Sequence, residues 1–214
     1  MAESFQQKKE RARKILQRLK KAYPNAKIVL NYKNNMQLLV AVILSAQCTD
    51  KKVNEVTEKL FQKYKTVDDF AMANLKVFEQ EIRSTGFYHN KAKNIIAASK
   101  IIRDKFGGKL PHSMAEMIKL PGVGRKTANI VLGNAYNIIE GIAVDTHVRR
   151  VSRHLGFTKE QNPDKIEQDL MKLFNKKNWF VITYLFIEYG RKIHTAKKSI
   201  PCSLGPLKGL CHED

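Results

Sequence analysis

The amino-acid sequence predicts an all-α protein, and three features of it support that prediction. Apolar residues recur at intervals of three and four, as in Ile95, Ala98 and Ile102, which is the spacing of one helix face. Alternating stretches of strand length are almost absent, and for residues 27–32 we expect a loop or a short extended piece. Glycines and prolines divide the chain into segments of ordinary helix length.

The first half of the chain contains three helical signals in order. Residues 1–21 form a charged amphipathic stretch, which we expect to be the N-terminal helix. Thr49 and Asp50 are residue types that cap helices, and they predict a helix that begins near Lys51. A further helical pattern ends at the glycine pair of residues 107–108.

The second half continues in the same way. A helix is predicted to end at Leu120, and the next one to start near Gly124. Another follows Asp145, and residues 166–174 again have helical spacing. The tail after His194 contains prolines, glycines and two of the three cysteines. This composition is typical of a loop that has to be held in place by a group other than its own secondary structure.

The chain is strongly basic. Its 214 residues carry 39 Lys and Arg against 20 Asp and Glu, a formal net charge of +19. Such an excess attracts a polyanion, and nucleic acid is the commonest one. The alternative is a basic, solvated surface without a specific partner.

The same sequence contains no signal for secretion or for insertion into a membrane. Residues 1–21 are charged, so no secretory signal is expected, and the longest apolar run, Leu38–Leu44, is too short to span a bilayer. Three cysteines argue against a disulfide framework and for a reducing compartment. We expect a cytoplasmic or nucleoid-associated protein that is not secreted and does not bind membranes.

The segment Leu120–Asn129 (LPGVGRKTAN) has the features of an anion site. Gly122 and Gly124 permit a tight turn, and the following helix start presents backbone N–H groups and a positive dipole end. Because glycine has no Cβ, a phosphate backbone is able to approach closely. The pattern resembles the hairpin of a helix-hairpin-helix motif, which grips DNA phosphates; the alternative is an ordinary helix connection.

A second segment, Val144–Arg150 (VDTHVRR), contains a carboxylate at a predicted helix start. Asp145 or Thr146 is expected to cap the helix that carries Val148 and Val151. Taken alone, this segment fits a structural role at least as well as a catalytic one, because Asp caps are common.

Together these segments identify a family. The chain resembles the endonuclease III family of the helix-hairpin-helix DNA glycosylase superfamily from about Tyr23 to Cys211. The matching stretches are LLVAVILSAQCTD (38–50), STGFYHNKAKNI (84–95), LPGVGRKTAN (120–129), AVDTHVRRV (143–151) and EYGRK (188–192).

The resemblance implies an architecture and a set of roles. It implies two helical domains with a DNA-binding cleft between them, one of residues 29–142 and one formed by 1–28 and 143–214. Lys126 matches the Schiff-base lysine and Asp145 the catalytic aspartate. The residues expected to contact DNA are Gln47, Phe87, Gly122, Gly124, Arg125, Thr127, His147, Lys197 and Lys198.

Two of these roles concern the opening of the base stack. Gln47 falls where the family places the residue that fills the hole left by the flipped base, and Phe87 where it inserts an apolar wedge. The alternatives are a polar residue at a helix C-terminus for Gln47 and a loop aromatic packed on a helix for Phe87.

The resemblance implies a bifunctional DNA glycosylase and abasic-site lyase that acts on oxidised pyrimidines in duplex DNA. We expect this enzyme to be a monomer. The target base must leave the stack before it is excised. Lys126 attacks only as the neutral amine, so its site must disfavour the ammonium, and Arg125 and the helix N-terminus are the positive neighbours. A glycosylase for mismatched or deaminated bases and a non-catalytic DNA-binding module remain as alternatives.

The tail departs from the family pattern. The family implies four cysteines that hold a [4Fe–4S] cluster, and here only Cys202 and Cys211 match, as remnants of that motif. Gly205 occupies the third position, and His194 or Thr195 the first. Cluster irons prefer thiolates, so we expect no cofactor. Apolar contacts of Ile200, Leu204, Leu207 and Leu210 would then hold the tail.

Overall fold

The computed structural model describes residues 3–195, 200–201 and 204–211. Within these ranges the chain is helical, with no β-structure beyond a single bridge residue at His194, and the prediction of an all-α fold is confirmed. Lys197, Lys198 and Cys202 lie outside the described residues. None of the described helices is long and apolar enough to cross a membrane.

The helices are short to medium in length and follow one another closely. In chain order they are α1 (Phe5–Ala22), α2 (Asn35–Leu44), α3 (Asp50–Lys63), α4 (Val67–Ala71), α5 (Leu75–Glu81), α6 (Tyr88–Phe106), α7 (Met114–Met117), α8 (Arg125–Tyr136), α9 (Thr146–His154), α10 (Pro163–Leu173) and α11 (Trp179–Lys192), with 3-10 helices at Arg83–Thr85 and Lys176–Asn178.

The chain divides into two compact units. The central unit is Val29–Ile138, and the terminal unit combines Met1–Ile28 with Ile139–Asp214. Ile142 and Val144, which follow the division at Ile138, are buried in the core of the terminal unit.

The central unit is built around α2. Residues 36–44 of this helix are all buried, and it packs against α3, α6 and α8. Tyr64, Phe70 and Phe78 form an aromatic group beside it, with ring centroids 5.2–6.2 Å apart. The predominantly apolar sequence of α2, whose residues 38–44 are all apolar, therefore gives the inner helix around which the others assemble.

Amphipathic helices form the terminal unit. The buried faces of α1, α9, α10 and α11 meet in one core, and Gly190 lets α11 approach α9 closely. A Cβ at Gly190 would lie 3.2 Å from Val151 Cγ2.

The C-terminal turn also contributes to this core, although less than the sequence predicts. Leu207 is fully buried, and Leu210 packs at the edge of the core. Leu204 is 78% exposed and Ile200 is 38% exposed, so these two residues do not anchor the tail. Of the four apolar residues expected to hold the tail, Leu207 and, at the edge of the core, Leu210 therefore do so.

Candidate active site and nucleic-acid interface

The hairpin between α7 and α8 is anchored by apolar side chains and shaped by glycine. Leu120 and Val123 are buried, whereas Gly122 and Gly124 are exposed. Gly122 has φ +78°, and a Cβ there would lie 2.9 Å from Asn94 Cβ on α6. Glycine is therefore required at residue 122 both by the backbone conformation and by the packing.

The start of α8 lacks a side-chain cap. Gly124 is its N-cap and offers no side chain to the first-turn N–H groups. Elsewhere in the central unit, which is described throughout, α6 also begins without such a cap, whereas five helices have one: α2, α3, α4, α5 and α7. An anion near Gly124 would meet these donors and the positive end of the α8 dipole.

Lys126 is the second residue of α8 and follows the hairpin directly. Its side chain and that of Thr127 are half-buried, and Ala128 and Asn129 beyond them are buried. The lysine is thus held at the mouth of the hairpin by a helix whose inner face is fixed in the core of the central unit.

Gln47 and Phe87 both have left-handed backbone conformations. Their φ angles are 52° and 49°, and Asn137 is the only other described non-glycine residue with positive φ. Gln47 is exposed in the turn after α2, and Phe87 is 63% exposed immediately before α6. Such conformations cost roughly 1–3 kcal/mol each and are typical of functional sites.

In the terminal unit, Asp145 is the N-cap of α9. Its Oδ1 accepts a hydrogen bond from the Val148 N–H at 2.8 Å, so of the two expected capping residues it is Asp145 that caps. The side chain is half-buried. One oxygen suffices for the cap, so Oδ2 is not required for it.

His147 is held within the terminal unit. Its Nδ1 lies 3.1 Å from an Arg150 Nη2, and the same Arg150 guanidinium donates to the backbone oxygens of Gly190 and His194 at 2.9 Å each. Arg150 therefore ties the first turn of α9 to the end of α11 and fixes the imidazole beside it.

Comparisons with known proteins assign this geometry to a family. Residues 40–176 match the HhH-GPD superfamily of base excision DNA repair proteins. The chain is 48% identical over 204 residues to endonuclease III of Synechocystis sp., covering 95% of this chain and 93% of the relative.

Solved structures agree with that match. A non-covalent endonuclease III–DNA complex and a trapped endonuclease III–DNA covalent intermediate each have a TM-score of 0.89 and 44% identity. They cover 95% of this chain, and 94% and 95% of the respective solved chains. The chain belongs to the endonuclease III family. It is therefore a base excision repair enzyme of the DNA glycosylase and abasic-site lyase class.

The residues of the tail do not fit the [4Fe–4S] cluster that the family resemblance implies. Gly205 has no ligand atom, and the His194 ring stacks on His154 with centroids 3.9 Å apart. Burial, together with His154 and Arg150, lowers the pKa of His194 to about 4. Within the described ranges no three His, Cys, Asp or Glu residues are grouped to hold a metal ion. Four thiolates are not available here.

Sequence reasoning missed the arginines that hold the C-terminal turn. Arg11 Nη1 donates to the Leu155 oxygen at 2.8 Å and to the Leu210 oxygen at 3.2 Å, and its Nε pairs with Glu3 at 2.7 Å. Arg18 donates to the Lys208 oxygen at 2.5 Å. No local pattern in α1 points to these partners, which lie at the far end of the chain.

Lys91 was also missed, although a signal existed. It lies four residues before Ile95 on the apolar face of α6, and only 5% of it is exposed. A lysine at a core position of a helix is unusual because burial disfavours the ammonium.

Proposed function

We propose that this chain excises oxidised pyrimidines from duplex DNA and then cleaves the strand, with Lys126 as the nucleophile. One observation carries the assignment of the nucleophile: in a chain of the endonuclease III family, a half-buried lysine directly follows the phosphate-binding hairpin. The same position matches the Schiff-base lysine of that family.

The reaction follows from the chemistry of an amine. Neutral Lys126 attacks C1′ of the sugar, the C1′–N bond breaks, and the base leaves with a proton. The C1′–O4′ bond then breaks as the sugar ring opens, O4′ takes a proton, and C1′ becomes the carbon of a Schiff base. The Schiff base acidifies the C2′ proton, whose loss breaks the C3′–O bond and expels the 3′ phosphate by β-elimination. Strand cleavage is therefore a direct consequence of using an amine rather than water.

Asp145 is assigned the electrostatic part of the reaction. In this proposal its carboxylate is the general base of the reaction and stabilises the positive charge that develops on the sugar. The N-cap hydrogen bond to Val148 supports this role because it fixes the direction of the carboxylate without neutralising it.

The hairpin and two loops supply binding and base extrusion. The N–H groups around Gly122 and Gly124, with Arg125 and Thr127, would hold a phosphate. Phe87 would enter the stack as a wedge, and Gln47 would fill the space of the departed base. Their exposure and left-handed conformations support this assignment.

We further propose that the protein works without a [4Fe–4S] cluster. The turn that the cluster would hold is instead fixed to α1 by Arg11 and Arg18 and sealed by buried Leu207. Lys197 and Lys198 would still contact the DNA backbone from this loop.

Borohydride trapping tests the proposed nucleophile. The unchanged chain is expected to form a covalent adduct with DNA that contains an oxidised pyrimidine, and Lys126→Gln is expected to form none while still binding abasic-site DNA. Lys76→Gln, at an exposed position on α5, is the matched control and should trap normally. Trapping of Lys126→Gln at the level of the unchanged chain would overturn the assignment, and trapping by neither protein would favour a non-catalytic module.

A further inference from the structure

Lys91 is a buried lysine to which the reaction assigns no task. It lies in the first turns of α6, and burial lowers the pKa of its ammonium. Its Nζ donates to the backbone oxygen of Leu44 at 2.8 Å and to that of Thr85 at 2.8 Å. An apolar residue at this position would pack in the core without the desolvation cost of a charge.

The two carbonyls that accept from Lys91 lie just before the two loops that carry Gln47 and Phe87. Leu44 is the last residue of α2, three positions before Gln47, and Thr85 ends the 3-10 helix two positions before Phe87. Carbonyls at helix C-termini lack an intrahelical partner and attract a cation. Lys91 thus links two backbone segments that are distant in sequence and that each lead into a left-handed residue.

The next turn of the same helix supports the hairpin. Asn94, three residues after Lys91, packs against Gly122, where a Cβ would lie 2.9 Å from Asn94 Cβ. The opening turns of α6 therefore contact the C-terminal end of α2, the end of the 3-10 helix before α6 and the hairpin at Gly122. All three segments belong to the central unit.

We propose that Lys91 is a positioning residue for base extrusion: its ammonium fixes the spacing of the loops that carry Gln47 and Phe87, so that both side chains enter the stack at the same lesion. This inference rests on the proposed roles of those two residues. It predicts that loss of the ammonium harms the opening of a paired duplex and leaves the lysine chemistry intact.

The test compares two substrates under single-turnover conditions. Lys91→Met keeps an unbranched side chain, shorter by one atom, and removes the ammonium donors. We expect its excision of an oxidised thymine in a paired duplex to fall roughly 10- to 100-fold, since a misplacement of about 1 Å has effects of this size. Cleavage at a pre-formed abasic site should stay within about twofold, because no base has to be extruded there.

A matched control separates positioning from stability. Ser99, further along α6, is fully buried and donates to the Ile95 oxygen at 2.7 Å, so Ser99→Ala also removes a buried hydrogen bond from this helix. We expect Ser99→Ala to lower the melting temperature without changing the ratio of the two rates. Equal losses on both substrates with Lys91→Met would overturn the proposal.

A double-mutant cycle adds a readout that a purely structural role would not move. In a Phe87→Ala background, Lys91→Met should slow excision little further if it acts through the loop that carries Phe87, whereas independent effects would multiply and contradict the proposal.

Should Lys91→Met not fold, Lys91→Arg gives the same comparison of the two substrates. A selective loss on the paired duplex would support the proposal, and an equal loss on both substrates would overturn it. If Phe87→Ala itself shows no selectivity, the proposed wedge role fails rather than the role of Lys91.

Discussion

At the scale of single residues, Asp145 shows how one side chain serves the fold and, in our proposal, the reaction. Its Oδ1 caps α9 through the Val148 N–H, and an uncharged Asn is also a good N-cap. The cap needs a hydrogen-bond acceptor, whereas the proposed chemistry needs a negative charge. These two requirements are separable by substitution.

Asp145→Asn is therefore expected to keep the melting temperature and DNA affinity but to slow excision about 10²–10⁴-fold, the usual contribution of a general base. Asp145→Ala should be equally slow and should also lose about 1 kcal/mol of stability with the cap. Single-turnover rates and thermal unfolding of both variants check this. A large loss of stability with little effect on rate would show that Asp145 is only a cap.

The residue types also decide how much of the site was predictable. Lys126 and Asp145 stand in local patterns, a glycine hairpin and a helix start, so their placement could be expected from sequence. The left-handed conformations of Gln47 and Phe87 could not, because neither residue type requires positive φ. The contacts of Lys91 depend on two carbonyls that only tertiary packing brings together.

At the scale of elements, the hairpin and the C-terminal turn illustrate two ways to hold an exposed loop. The hairpin is held by buried Leu120 and Val123 and by the contact of Gly122 with Asn94. The C-terminal turn is held by Leu207 and by arginines of α1. The first could be predicted from its glycines, but the second depends on partners from opposite ends of the chain.

The two hairpin glycines are expected to respond differently to alanine. Gly122→Ala must accommodate a left-handed φ and a clash with Asn94, so it should lose roughly 1–2 kcal/mol of stability together with DNA affinity. A Cβ at Gly124 meets nothing within 4 Å, so Gly124→Ala should keep the melting temperature of the unchanged chain. It should nevertheless bind DNA more weakly, because the added methyl group would keep a phosphate away from the backbone. Thermal unfolding and fluorescence anisotropy measure both effects. Unchanged affinity in Gly124→Ala would argue against close phosphate contact there.

The C-terminal turn gives a prediction about metal. Protein purified anaerobically should contain no stoichiometric iron or sulfide, and a chelator should leave its melting temperature unchanged. Arg11→Ala should lower that temperature, because it removes bonds to the Leu155 and Leu210 oxygens. Arg13→Ala is the control, because the Arg13 side chain is exposed and, among the residues that the structure describes, pairs with Glu10 of the same helix. Near-stoichiometric iron and sulfide would show that other groups complete a cluster.

At the scale of the whole molecule, the basic charge and the two-unit division set the context for the site. The net charge of +19 suits a polyanionic partner. The division at Ile138 could be approximated from sequence but not fixed, because Gly133 lies inside the last turn of α8 and the helix ends instead at Asn137, which takes the left-handed C-cap conformation. The pairing of both chain ends in one core is a long-range property that local patterns do not encode.

Affinity for duplex DNA is expected to fall steeply with salt, with a slope of log K against log salt of about −0.9 for each phosphate contacted. Arg125→Ala should reduce the magnitude of that slope by about one, as expected for loss of one phosphate contact, whereas Lys76→Ala should not change it. Anisotropy titrations at several salt concentrations measure the slope. A flat dependence would contradict the phosphate-binding role of the hairpin.

The residue that carries the sugar after borohydride reduction identifies the nucleophile. The borohydride-reduced complex with lesion-containing DNA would be digested with nuclease and protease, and the modified peptide sequenced by mass spectrometry. The account predicts that the sugar remnant lies on Lys126, in the peptide that follows the hairpin. A remnant on any other lysine, including Lys91, or on the N-terminal amine, would contradict it.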